Sequence, residues 1–390
     1  MITTTRAARL LRDRSGVQRV TNIELFFDLV YVFAVTQLSH HLLGDPTVRG
    51  ALQTALLLAM VWLVWEYTTW LTNWMDPEQM AVRLLLVALM LASLAMSAAL
   101  PRAFGNLGLL VGGAYAVMQI GRSAFAVAVL RGPLRVNFER ILVWLVASGA
   151  LAVAGGLAHG LARALLWLAA AGVDLLGGAA GYATPWLGRS RTSDWTIEGG
   201  HLAERCQAFV LIAIGESIVI IGATLSGKPS VTASGTASLI VAFTGSVALW
   251  WIYFDRSAGA SADVIARSAD PGRLGRSAYH FIHPVIVAGI IVGAAADDLV
   301  LSHPAAAADA AATWMILGGP ALFLAGHAAF KAAVWRVVPW SRLAGIAVLA
   351  LLAPAAPAMP ELALGACAAA VVVAVAVAGV RQSAGCASDS

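Results

Sequence analysis

Residues 23–43 read IELFFDLVYVFAVTQLSHHLL. A helix that crosses a bilayer needs roughly 20 predominantly apolar residues, and this segment meets that length. It nevertheless carries two carboxylates, Glu24 and Asp28, one helical turn apart, and ends on His40 and His41. An acid at mid-bilayer costs about 2.5–3.5 kcal/mol on insertion scales, so such groups face protein or water. The helix is therefore expected to line an interior site with its acids.

Similar apolar runs recur along the chain. Of 390 residues, 60% are hydrophobic and 12% charged, far from ordinary globular usage. The runs are long and do not alternate, which favours helices over a barrel, the only other structure that satisfies its backbone in lipid. The expected fold is an all-α polytopic membrane protein with about 12 transmembrane helices. They fall near residues 23–43, 51–71, 80–100, 107–130, 139–157, 161–187, 203–225, 233–254, 279–300, 311–330, 343–358 and 361–380. The polar stretch GRSRTSDWTIEGG at 188–200 divides them into two six-helix groups, 23–187 and 203–380. Each group opens on a charged helix, as in transporters built from duplicated halves. Residues 1–22 form a basic segment with no apolar core of a signal peptide, residues 255–276 a loop able to carry a short surface helix, and residues 381–390 a disordered tail. Cys206, Cys367 and Cys386 show no metal or disulfide spacing.

The net charge of +4 marks topology. With the N-terminus in the cytoplasm, the inner segments hold Arg6, Arg9, Arg12, Arg14 and Arg19, then Arg131, Arg135, Arg140, Arg189 and Arg191. Arg256, Arg267, Arg273, Arg276, Lys331, Arg336, Arg342 and Arg381 continue the series, while the outer loops hold only Arg49, Arg102, Arg163 and Lys228. That bias follows the positive-inside rule, with both ends cytoplasmic. Nucleic acid is not an expected partner.

Placed by depth, the polar residues of the spans gather toward the cytoplasmic side: Glu24, Asp28, Glu66, Asn73, Arg122, His201, Glu204, Arg205, His280 and His283. The expectation is a polar cavity in which Arg122 and Arg205 balance the acids. Glu24 and Asp28 share one helix face, where their like charges suit proton transfer or cation coordination. The plainer role of an acid at a helix N-terminus stays open for Glu24. Glu216, in LIAIGESIVIIG, lies about 18 Å along the helix from Glu204 at 1.5 Å per residue and is also expected to function. Glu66 is flanked by Trp65, Tyr67 and Trp70, a setting for a cation or an ordinary interfacial belt. His280 and His283, with His201 and Glu204, could hold a metal, but packing histidines are the favoured reading and no metal is expected. The sequence has no Walker loop, no GxSxG and no pair of aspartate-rich prenyl-diphosphate motifs, and no cofactor is expected.

The segments ELFFDLVYVFAV and HLAERCQAFVLIAIGES together resemble the bacterial low temperature requirement protein A (LtrA) family, over roughly residues 18–350. The resemblance implies a multi-pass bacterial inner-membrane protein. It carries over Glu24, Phe27, Asp28, His201, Glu204, Arg205, Gly215 and Glu216 as motif positions. The opening helix is also similar to that of lysosomal-type potassium and proton channels, at Arg19 and Phe27-Asp28, without their Ser.

Two functions follow as expectations. The first is a secondary transporter or channel-like protein whose carboxylates Asp28, Glu24, Glu216 and Glu204 handle protons or cations. Glu66, Arg122, His201, Arg205, Trp65 and Tyr67 would then bind the substrate. The second is an intramembrane enzyme, with a carboxylic acid as general acid on a lipid or isoprenoid and aromatic rings stabilising carbocation character, as in a membrane terpene cyclase. The partners are the lipid bilayer and a small ion or apolar small molecule. Assembly into a homo-oligomer stays open.

Overall fold

The computed structural model describes residues 10–13, 18–190, 198–227, 232–254, 260–261, 263–265, 267–268 and 270–388. Several expectations fall outside them: Arg6, Arg9, Arg14, Arg191, Lys228, Arg256 and much of the 255–276 loop. The described chain is helical throughout. In order come α1 (Asn22–Gly44), α2 (Val48–Trp74), α3 (Met80–Ala99), α4 (Gly108–Val129), α5 (Gly132–Leu157) and α6 (Gly160–Ala179). They are followed by α7 (Gly199–Ser226), α8 (Ala233–Tyr253), α9 (His283–Ser302), α10 (Ala310–Trp335), α11 (Trp340–Leu352) and α12 (Glu361–Ser388).

Among the described residues, 11 helical segments are long and apolar enough to cross a membrane, so the chain is a polytopic membrane protein. The member of the expected twelve that falls outside that set is α4, whose 22 residues include the buried polar Gln119 and Arg122. α11 reaches spanning length only with the 3-10 turns of Ala353–Ala358. α6 ends at Ala179, short of the expected 187, because Gly181 and Tyr182 adopt left-handed φ values of 63° and 50°, which no right-handed helix can continue through. α12 continues to Ser388, into the stretch expected as a tail.

The described chain groups into two compact units. The first comprises Met1–His41, Leu52–Arg205 and Asp270–Arg273. Within it α1 reverses the pattern of a soluble helix. Glu24, Phe27, Asp28, Tyr31 and Val35 are buried, whereas Leu25, Phe26, Leu29 and Phe33 are exposed. These spacings put the acids on the protein-facing side and the large apolar residues toward lipid. α4 and α5 approach closely through small residues, as membrane helices do. A Cβ at Gly112 would stand 2.1 Å from the Ala152 carbonyl oxygen, so only glycine allows this approach. Arg163 is buried and donates to the carbonyls of Gly155, Ala158 and Gly156 at the end of α5 and of Ala103 and Gly105 before α4. It satisfies helix-terminal acceptors that would otherwise be orphaned, and so acts in packing although it was counted with the outer-loop charges.

The second unit comprises Leu42–Ala51, Cys206–Ala269 and Leu274–Ser390. Its α9 and α10 repeat the small-residue contact, for a Cβ at Gly289 would meet the Phe323 backbone nitrogen at 2.4 Å. α9 is entered through π-helical Arg276–Ile282. Pro284 follows and lacks the N–H that the carbonyl four residues earlier would accept, a place where a widened turn is commonly found.

Candidate functional site

The first unit gathers most of the expected polar residues around α1. Thr21 and Glu24 close the helix start with one half of a capping box. The Thr21 backbone N–H donates to Glu24 Oε2 at 3.0 Å and its hydroxyl to the same oxygen at 2.9 Å. Three further side chains converge on this fully buried carboxylate. Arg12 Nη2 donates to Oε2 at 2.7 Å, His201 Nε2 lies 2.8 Å from Oε1, and Arg205 Nη1 lies 3.2 Å from Oε1. His201 and Arg205 come from α7, where their i, i+4 spacing sets them on one face. Asn73 Nδ2 lies 3.3 Å from His201 Nδ1, so the ring accepts there and donates from Nε2 to Glu24. Arg12 is held in place by its backbone N–H to the Trp74 carbonyl at 2.9 Å and its Nε–H to the Thr72 carbonyl at 2.6 Å.

Asp28, a turn further along, is also fully buried but is held on one side only. Its Oδ1 accepts from Trp65 Nε1 and from Arg205 Nη2, each at 2.6 Å. Its Oδ2 has no hydrogen-bond partner among the described residues. Arg205 thus bridges the two acids, with its Cζ 5.8 Å from the ring centroids of both Phe27 and Trp65. Two carboxylates face two guanidiniums. The two carboxylates balance the two guanidiniums, and a change that leaves one of these buried charges without any partner is costly.

Other expected residues lie elsewhere. Glu204 is exposed and accepts the Val20 backbone N–H at 3.0 Å, because its place on α7 turns it from the face that His201 and Arg205 share. Glu66 accepts from Trp70 Nε1 at 2.7 Å, an i, i+4 contact on α2. Arg122 makes no ion pair with a carboxylate among the described residues. It donates to the Val64 carbonyl at 3.2 Å and to Thr68 Oγ1 at 3.0 Å, hydrogen-bonds Gln119 Oε1, and sits 5.3 Å from the Tyr67 ring centroid. Gln119 in turn donates to Asp174 Oδ2 at 2.7 Å, which Tyr115 also contacts. A second buried network thus links a cation and an anion through an amide. Tyr67 belongs here, donating to the Asp174 carbonyl at 3.0 Å and accepting from Tyr182 at 3.0 Å.

Glu216 and His283 belong to the second unit. His283 is enclosed by protein. Its Nδ1 lies 2.9 Å from the Ala278 carbonyl and its Nε2 lies 2.8 Å from Tyr253 Oη, so both nitrogens are engaged. Among the described residues no group of three or more His, Cys, Asp or Glu side chains is placed to hold a metal ion, and His201 is bonded to Glu24. Sequence reading missed Arg12, taken only as a topology charge, the half capping box of Thr21 and Glu24, and Asp174. The T-x-x-E spacing and the lone acid in LLWLAAAGVDLL were available signals.

Residues 19–377 match the family described as bacterial low temperature requirement A protein (LtrA). The chain is 38% identical over 373 residues to an uncharacterized protein of Rhizobium meliloti (strain 1021), spanning 94% of this chain and 90% of that relative. No solved structure matches. The chain belongs to the LtrA family.

Proposed function

We propose that this LtrA-family membrane protein is a secondary transporter or channel-like protein in which Asp28 is the group that takes up and releases a proton. One observation carries the reading: Asp28 is fully buried yet its Oδ2 has no partner among the described residues, while neighbouring Glu24 is saturated by donors. A carboxylate oxygen that accepts no hydrogen bond is the place where a proton can be held, and Glu24 offers none, since both of its oxygens are engaged. Protonation of Asp28 would weaken its bond to Arg205 Nη2, and the guanidinium would then remain with Glu24 alone. Because Arg205 lies on α7 and the acids on α1, that exchange changes how tightly the two helices are tied. An element with two arrangements biased by a proton is the minimum required for coupled transport.

The enzyme reading has support in the rings beside Asp28. However, Arg205 already occupies the faces of Phe27 and Trp65, where a carbocation would have to sit. The biased Lys and Arg distribution supports placement in the inner membrane with both termini cytoplasmic.

The test is purified protein in liposomes with an internal pH-sensitive dye and an imposed membrane potential. Proton flux above that of empty liposomes, lost in Asp28→Asn, is the expected result. Absence of any proton or cation flux in the wild type, together with turnover of an added isoprenoid, would replace transport with the enzyme reading.

A further inference from the structure

The second unit holds an acid that the site above does not use. Asp297 and Asp298 are neighbours on α9, inside a membrane-spanning segment. Asp298 Oδ1 accepts a hydrogen bond from Thr224 Oγ1 at 2.6 Å. Asp297 points about 100° around the helix from it and makes no hydrogen bond or ion pair with any described residue.

Asp297 lines a cavity of about 60 Å³ together with Ser217, Ser246, Gly293, Ile316 and Pro320. Each of the other polar groups there has spare capacity. Ser246 makes no side-chain hydrogen bond to a described residue. The Ser217 hydroxyl reaches the Ala213 carbonyl only at 3.5 Å, the outer limit for such a bond. Pro320 has no N–H, so the Ile316 carbonyl lacks its ordinary helical donor.

A carboxylate inside a membrane-spanning helix is neutralised by a proton or a cation. A carboxylate, two hydroxyls and a freed carbonyl are hard oxygen donors, the kind that bind alkali and alkaline-earth ions. One acid supplies one negative charge and so matches a monovalent ion. The space admits a small ion with a few waters, each needing roughly 10–15 Å³ on this measure, and is far below the about 300 Å³ of an organic ligand pocket.

We infer that Asp297, Ser217, Ser246 and the Ile316 carbonyl form a binding site for a sodium-sized monovalent cation. The four donors come from α9, α7, α8 and α10, so the bound ion ties four helices of the second unit together. The site is independent of Asp28, and its failure would leave the transport proposal standing.

The test is binding of radiolabelled sodium to the full-length protein in nanodiscs, with ionic strength held constant by choline chloride. Saturable binding near one ion per chain is expected. Asp297→Asn abolishes it, Ser246→Ala weakens affinity on the order of tenfold, and Thr224→Val, which removes the partner of Asp298, leaves it intact. Absence of saturable binding, or equal affinity in Asp297→Asn, overturns the assignment. Should Asp297→Asn fold poorly, unchanged affinity in a monodisperse Ser246→Ala protein overturns it equally.

Discussion

Glu24 and Asp28 are both carboxylates on one helix face, yet their surroundings give them different work. Glu24 is the hub that Arg12, His201, Arg205 and Thr21 share. Its removal leaves Arg12 without a counter-charge and Arg205 with Asp28 alone, and breaking a buried pair of this kind costs about 3–5 kcal/mol. Glu24→Gln is therefore expected to lower the unfolding temperature in detergent sharply. Asp28→Asn, which keeps an oxygen for Trp65 and leaves Arg205 paired with Glu24, is expected to lower it far less. Equal losses in the two variants would refute the division of roles. Much of this pairing was readable in advance, because acids in apolar runs announce themselves and α7 repeats the signal at His201 and Arg205. The partner geometry was not readable. Nothing in the spacing of Arg12 says that a loop strand beside Met75 carries it into the cluster. Glu204 is one residue from Arg205, and a turn of about 100° per residue is enough to place one outside and the other inside.

Among the helices, glycine placement determines how closely neighbours approach. At Gly112 a Cβ would clash with the Ala152 carbonyl oxygen at 2.1 Å, whereas at Gly113 nothing lies within 4 Å. Gly112→Ala is accordingly expected to destabilise the protein by about 1–3 kcal/mol, the usual range for overpacking. Gly113→Ala should be neutral or slightly stabilising, since it adds helix propensity at an open position. Thermal unfolding of the two variants checks this directly; a larger loss at Gly113 would contradict the α4–α5 contact. The existence of these helices followed from apolar length alone. Their ends did not, because the stop of α6 depends on left-handed Gly181 and Tyr182, and Tyr is not a residue whose type announces that conformation. The shortfall of α4 from the spanning set has the same origin as its role, since Arg122 and Gln119 lower its apolarity while building the network with Asp174.

For the whole molecule, whether the two ends share a side depends on whether α4 crosses. If α4 crosses along with the 11 apolar segments, the count is even and both termini share one side, the cytoplasm by the Lys and Arg bias. A C-terminal green fluorescent protein fusion should then be fluorescent and a C-terminal alkaline phosphatase fusion inactive. Active phosphatase would put the C-terminus outside and remove α4 from the spans. Membrane residence and family were readable from composition and from the two motif segments. Division of the polar residues between two units was not, since Glu216 and Arg205 lie on one helix yet belong to different units.

Asp28, and not Glu24, is the carboxyl expected to change protonation. Infrared difference spectroscopy of the purified protein in lipid, recorded as pH is lowered, reads the carboxylic-acid carbonyl stretch directly. A band that appears on acidification, vanishes in Asp28→Asn and survives in Glu24→Gln is the predicted result. A band that survives Asp28→Asn and is lost in Glu24→Gln would assign the proton to Glu24 instead.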